Sequence, residues 1–367
     1  MNDRLAAIVS AVAPRAREFE SAARTHLDDL TKPRGSMGRL EDAAASLFCM
    51  NGGKRIEIDP VRLFTVAGDH GVVAEGVSAY PAEVTRQMVM NFLAGGAAIN
   101  VLCRTFGIDL RVVDAGCAGE PFAPHPLLIR RRIAPGTANM AVGPAMRQGE
   151  AESALLAGIE LARESVSEGI RCLAVGEMGI GNTTAASALF AAWLACDPET
   201  LVGPGTGLDR TGIRRKTEVI RRALNVNKEA LDSNDALRIL AAFGGFEIAM
   251  MAGIIIGAAE ARTPCLVDGF ISQAAWLSAI KLCPPARDFT FIAHTSAEPG
   301  SPAILALLGE TPLLSLGMRL GEGTGAALAV PLLRGAAAIF NDMATFSGAG
   351  VSDAHEGDAF SARQAEV

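Results

Sequence analysis

The sequence predicts an α/β protein, a parallel sheet with helices covering both faces. Three observations predict it. Five short apolar runs each stop abruptly in glycine and polar residues: RLFTVAGDHG (62–71), LRVVDAGC (110–117), RCLAVGEMG (171–179), PCLVDGF (264–270) and FTFIAHTSAEPG (289–300). Alanine-rich stretches with helical patterning lie between them, at 83–105, 150–168, 183–195, 213–230 and 244–261. Half of the 367 residues are apolar, enough for a sizeable core. Strands that are apolar throughout, rather than alternating, are buried on both faces. That is what a parallel sheet between helix layers requires.

Each element follows in chain order. Residues 4–30 interleave charges with alanine and leucine and read as one or two helices. TKPRGSMG (31–38) is a loop by its proline and two glycines, and RLEDAAASLFCM (39–50) is a helix. After the first strand, YPAEVTRQMVMNFLAGG (80–96) starts a helix with Pro81 at its first position. Val84, Met88 and Phe92 form an apolar stripe on it, with Gln87 and Asn91 as an adjacent polar row. The longest apolar run, IAMMAGIIIGAA (248–259), sits between Glu247 and Glu260. It is too short to span a bilayer and reads as a buried helix. TPLLSLGMRLGEGTG (311–325) leads into a long helix at 326–346 with Pro331 in its first turns, and residues 347–367 read as loose.

Composition narrows the function. Net charge is −7 and no basic block occurs, which argues against nucleic acid or an anionic membrane as partner. Seven scattered cysteines without C-x-x-C suit buried thiols in a reducing cytoplasm, with neither zinc site nor disulfide framework. The N-terminal stretch is too polar for a secretory signal. Five histidines without metal spacing, and no H-E-x-x-H, predict no catalytic metal and no cofactor.

Parallel sheets bind ligands outside the carboxyl ends of their strands. Those ends here carry Asp69-His70, Asp114, Glu177, Asp268, and His294 with Glu298. GEMGIGNTTA (176–185) nearly spells the triphosphate loop G-x-x-x-x-G-K-[ST], with Gly176, Gly181 and Thr183 in place but Asn182 where lysine belongs. A glycine turn feeding a helix N-terminus suits an anion, and the missing lysine points to a single phosphate. The other reading is a turn that only packs strand against helix. GPGTGLDRTGIRRK (203–216) offers Arg210, Arg214, Arg215 and Lys216, one of which could supply the missing charge; the others read as a solvated face. Glu322 stands between Gly321 and Gly323, near Met318 and Leu320. A carboxylate in apolar surroundings gains proton affinity, as a general base needs. As an alternative, it is an acid that satisfies a helix dipole. HTSAEPGS (294–301) holds Ser296, but G-x-S-x-G is absent, against a serine nucleophile.

Taken in order, KPRGSMGRLE (32–41), AGDHGV (67–72), GVSAYPAEVTRQM (76–88), DAGC (114–117), GEMGIGNTTAAS (176–187), GTGLD (205–209), VDGFIS (267–272), HTSAEPG (294–300) and LGMRLGEGTGAA (316–327) resemble one family. It is that of the nicotinate-nucleotide–dimethylbenzimidazole phosphoribosyltransferases of cobalamin lower-ligand synthesis. The resemblance covers nearly the whole chain. It implies transfer of 5-phosphoribosyl from nicotinate mononucleotide to 5,6-dimethylbenzimidazole with inversion, giving α-ribazole 5′-phosphate and nicotinate, without metal. It implies a Rossmann-like sheet in a large domain at 61–325, and a small helical domain from 1–60 with 326–367. It also implies a homodimer with sites close to the subunit interface.

By the same resemblance, Glu322 is the catalytic base and Gln87 lies beside the acceptor. Glu177, Gly179 and Gly181, with Asn182 and Thr183 after them, surround the nucleotide. Lys216 binds phosphate, Ser296 and Gly300 contact the nucleotide, and Asp268 marks a strand end at the site. Met88, Met318 and Leu320 suit a flat apolar ring. Asp69 and His70 belong to a signature without an assigned role. Alternatives are transfer to another base, such as adenine or a phenol, and a non-catalytic nucleotide-binding protein. A triphosphatase is disfavoured by Asn182.

Overall fold

The computed structural model describes residues 1–203, 205 and 207–352; most of the stretch read as loose lies outside them. The chain divides into two compact units. One comprises residues 1–14 and 59–330, the other residues 15–58 and the chain from 331 onward.

The first unit is built on six strands: β1 (Val61–Gly68), β2 (Asp109–Gly116), β3 (Leu128–Arg130), β4 (Cys172–Met178), β5 (Cys265–Val267) and β6 (Thr290–Ile292). All five pairings are parallel, in the order β3-β2-β1-β4-β5-β6. This is a Rossmann-like sheet, as the family resemblance implies, and its direction of winding reverses between β1 and β4. β1 is buried along its whole length, as a central strand rich in Val, Leu and Phe should be. The five apolar runs became strands. β3 was not foreseen: it is a three-residue edge strand, half exposed and followed by arginines, too short to show a period.

The helical stretches differ from expectation in detail. Residues 83–105 form two helices, Glu83–Leu93 and Ala98–Phe106, broken where Gly95 turns left-handed and Asn100 accepts the Ala97 N–H. Pro81 precedes the first of these in a tight turn in which Val84 N–H donates to Pro81 O. Phe246–Glu260 is buried from Phe246 to Ala259 and packs against Gln148–Ser167, whose inner face is mostly small residues. Helix Asp3–Ala11 groups with this unit rather than with the small one. Asn2 donates twice to Glu152, and Arg4 meets Glu160 at 2.7 Å.

The second unit holds helices Glu20–Asp29 and Arg39–Met50 and the later turns of helix Thr324–Asp342. His26 Nε2 meets Phe340 O at 2.7 Å, and Asn341 pairs with both backbone groups of Ile56. A buried Lys32–Glu41 pair (2.9 Å) ties down the KPRGSMG loop, and Met37 N–H donates to the same glutamate.

Two stretches, 83–106 and 324–342, are long and apolar enough by composition to cross a bilayer. The first is two short helices, and the second carries Pro331 and buries Ala326, Ala329, Val330, Leu333 and Phe340 in the protein.

Candidate active site

The reversal of the sheet opens a crevice at the carboxyl ends of β1 and β4, and a cavity of about 450 Å³ lies at the β4 end. That volume suits a small ligand. Its walls include Tyr80, Val84, Met88, Glu177, Asn182, Thr183, Ser296, Arg319, Leu320 and Glu322.

The turn after β4 leads into helix Asn182–Leu194, whose N-cap, Gly181, is left-handed (φ 93°). The helix therefore starts where the sequence places it, with its positive end at the Gly179–Gly181 turn. Thr183 Oγ1 accepts a 2.8 Å hydrogen bond from Lys216 Nζ. Lys216 comes from helix Arg210–Val226 and is 1% exposed. Burial pushes its ammonium down to about 8, with the Glu298 carboxylate opposing. Arg319 Nη1 donates to Gly205 O at 3.0 Å beside this group.

Glu322 is held from several sides. Its φ is 64°, between the left-handed Gly321 and Gly323, a conformation costly for a side chain and frequent at functional sites. Its N–H donates to Glu177 O at 3.1 Å, and its carbonyl accepts from Thr65 Oγ1 at 2.7 Å. These bonds seat the loop on β4 and β1. A methyl on Gly176 would lie 2.1 Å from Gly323 N, so only glycine at that strand position admits the loop. Asp268, at the end of β5, accepts from Gly323 N–H (3.1 Å) and Ala326 N–H (3.0 Å) and caps the helix that follows.

The Glu322 carboxylate accepts the Ile99 N–H at 3.3 Å, at the start of helix Ala98–Phe106. It does satisfy a helix terminus, but not the one next to it in sequence. Burial raises its proton affinity, the Ile99 bond partly offsets this, and the Asp268 carboxylate adds to the rise. Glu177 is more extreme. Burial pushes it up to about 8 against the hydrogen bond from Asn182 Nδ2, and the Asp268, Glu247 and Glu322 carboxylates add to the rise. Gly321 leaves room for it: a methyl there would stand 2.3 Å from Glu177 Oε1.

The phosphoribosyltransferase family model matches residues 12–351. The chain belongs to this family. A nicotinate-nucleotide–dimethylbenzimidazole phosphoribosyltransferase of Nitratidesulfovibrio vulgaris (strain DP4) is 56% identical over 97% of this chain and 100% of its own length. One from Chlorobaculum tepidum is 49% identical, covering 96% and 99%. The crystal structure of CobT from Thermus thermophilus superposes with a TM-score of 0.86 at 49% identity, covering 91% of this chain and 99% of that one.

In this phosphoribosyltransferase the cavity gathers Glu322, Glu177, Gly179, Asn182, Thr183, Ser296, Met88 and Leu320. Other candidate residues sit off its wall. Lys216 reaches it through Thr183, and Asp268 acts behind it on the Glu322 loop. Gly181 caps the helix, and Gly300 opens helix Gly300–Leu308 against Leu201. Met318 offers its carbonyl to Ala297 N–H. Gln87 is exposed and does not line the cavity, since the helix turns Val84 and Met88 toward it instead. Sequence reasoning missed Arg319 and Tyr80 on the wall and Glu247 behind it. Arg319 stands inside the motif singled out for Glu322, and Tyr80 is the chain's one tyrosine, preceding Pro81; either could have prompted the question. Among the described residues, no three His, Cys, Asp or Glu side chains form a group able to hold a metal.

Proposed function

We propose that the chain transfers 5-phosphoribosyl from nicotinate mononucleotide to 5,6-dimethylbenzimidazole, with inversion at the ribosyl carbon, giving α-ribazole 5′-phosphate and nicotinate. One observation carries the reading: the cavity that holds the buried Glu322 carboxylate also holds Thr183 and, behind it, Lys216. A base and an anion-binding group therefore share one space. The family and its named relatives support the choice of substrates.

The chemistry asks little else. A pyridinium leaves without protonation, while positive charge builds on the ribosyl carbon as in glycoside cleavage. The attacking benzimidazole nitrogen must lose its N–H proton, and Glu322, with raised proton affinity, accepts it. Tyr80, Val84, Met88 and Leu320 supply an apolar wall for a flat ring. Thr183, Lys216 and the helix N-terminus supply the phosphate end. Holding both reactants on opposite ribose faces gives inversion and much of the acceleration.

Glu177 raises the question of an acid inside an anion turn. Pushed up to about 8, its carboxyl is neutral at pH 7 and does not repel an anionic nucleotide. It can then donate a hydrogen bond to the ribose or nucleobase. The family resemblance adds the expectation of a homodimer whose sites lie near the subunit interface. The free cysteines support a cytoplasmic enzyme.

The test is product chromatography with nicotinate mononucleotide and a panel of bases that includes adenine and phenol. Release of nicotinate with a new ribotide of dimethylbenzimidazole is expected, and it should persist in excess chelator. No ribotide with any base would leave only a nucleotide-binding role.

A further inference from the structure

His70 and Glu247 lie outside the cavity wall and have no part in the chemistry above. Yet His70 Nε2 meets Glu247 Oε1 at 2.6 Å, with the two side chains 2% and 0% exposed. Asp69 precedes His70 in the turn after β1, and Glu247 lies in the first turn of helix Phe246–Glu260. Among the described residues, Glu247 Oε2 has no hydrogen-bond partner. It is wedged between glycines: a methyl on Gly68 would lie 2.8 Å from it, and one on Gly245 2.6 Å.

The pair borders the site at Gly181, where a methyl would lie 3.4 Å from His70 Cβ, and at Gly179. A methyl on Gly179 would stand 3.3 Å from Asn182 Nδ2 and 3.5 Å from Glu247 Oε1. Asn182 therefore sits between two buried acids. It donates to Glu177 Oε2, while Glu247 Oε1 takes His70 instead. Asn182 Nδ2 is thus a side-chain donor that touches Glu177 and shares the Gly179 surface with Glu247.

We propose that His70 is a positioning residue: by occupying Glu247, it leaves the Asn182 amide to hold Glu177 in place on the cavity wall. Without a donor at position 70, both Glu247 oxygens are buried and unbonded. Such a carboxylate recruits the nearest donor. Asn182 turns to Glu247, and Glu177 loses its anchor. The groups around the pair do not take His70's place: Asp69 is an acid, and the Cys117 thiol, which lies within reach of the Glu247 charge, pairs with Asp114. Burial alone would lower the His70 pKa, but the Glu247 carboxylate, with Asp69 behind it, raises it. The inference rests on the reading of the cavity as the transferase site.

The experiment compares H70F, H70Q, E247Q and H70F/E247Q in steady-state transfer from nicotinate mononucleotide to dimethylbenzimidazole, with a crystal structure of H70F. Loss of kcat by roughly 10²-fold in H70F is the scale of a catalytic group misplaced by about 1 Å. H70Q, which keeps an amide donor, and E247Q, which removes the competing charge, should stay within a few-fold of wild type. H70F/E247Q should recover most of the loss. A double variant no better than H70F, or an H70F structure with Asn182 still on Glu177, overturns the proposal. If H70F alone does not fold, the double variant decides: folded and active supports the proposal, folded and inactive overturns it. Wild-type turnover tests the reaction itself, and the Asn182 rotamer in the H70F structure is read independently of activity.

Discussion

Replacing Glu177 with glutamine should change how stability depends on pH, by an amount the structure lets one work out. The carboxyl is 6% exposed and pushed up to about 8 from the ordinary 4.5. Between those values the unfolded chain has lost the proton and the folded chain keeps it. The unfolded state then binds fewer protons, so stability falls as pH rises. The contribution is fully present below 4.5 and lost as pH climbs to about 8. The slope is about 1.4 kcal/mol per pH unit, and the window is roughly 3.5 units, so the total is at most about 5 kcal/mol. Relaxation around a buried charge trims that figure. Glutamine keeps an oxygen for the Asn182 amide and has nothing to ionise, so near pH 5 the two proteins should be almost equally stable. From there to pH 8 the variant should gain steadily on the wild type, then hold level. Urea denaturation at four or five pH values measures the difference, and other titrating groups cancel in it. A difference independent of pH would refute the reasoning, because it would mean that Glu177 titrates alike in both states.

Glu322→Gln should lower kcat by about 10²-fold or more while nicotinate mononucleotide binding, followed by calorimetry, changes little; equal modest losses would remove Glu322 from the proton transfer. Lys216→Ala should raise KM for the nucleotide about tenfold with a smaller change in kcat. In the wild type, kcat/KM for the nucleotide should decline above about pH 8 as the Lys216 ammonium titrates, a limb the alanine variant should lack. Gly321→Ala adds a methyl 2.3 Å from Glu177 Oε1 at a left-handed position (φ 84°) and should cost about 1–3 kcal/mol in a thermal melt, with loss of turnover.

Much of this was legible in the sequence because strand ends announce themselves. Apolar runs broken by glycine and acid placed five of six strands, and parallel topology sent the site to their carboxyl ends. The three-residue β3 escaped because so short an edge strand has no pattern to read. Gln87 illustrates a different limit. A helical stripe shows which residues share a face, but not which face meets the cavity; that depends on Thr85 accepting the Ile180 N–H, a contact 95 residues away in sequence. Glu247 was hidden for the same reason. In sequence it bounds an apolar run, and only the fold sets it against His70, 177 residues away.

The buried acids of the site show what the fold adds to the inventory. Glu247 and Asp268 each face a histidine, at 2.6 and 3.5 Å. Glu177 and Glu322 face none, and among the described residues no cation figures among the groups acting on either. A charge buried without a partner costs several kcal/mol, so such a group protonates or persists only where something else requires it. The two matched acids lie off the cavity wall, where Asp268 anchors backbone and Glu247 sits beside Asn182. The two unmatched acids lie on it, together with Glu298, which has the Lys216 ammonium as its counter-charge. Stability alone would favour the reverse, since acids nearer open space are the cheaper ones to leave unpaired only if water reaches them, and these two are about 5% exposed. On the proposed function, their raised proton affinity serves the reaction: Glu322 takes up a proton more readily than an ordinary carboxylate, and Glu177 holds its own.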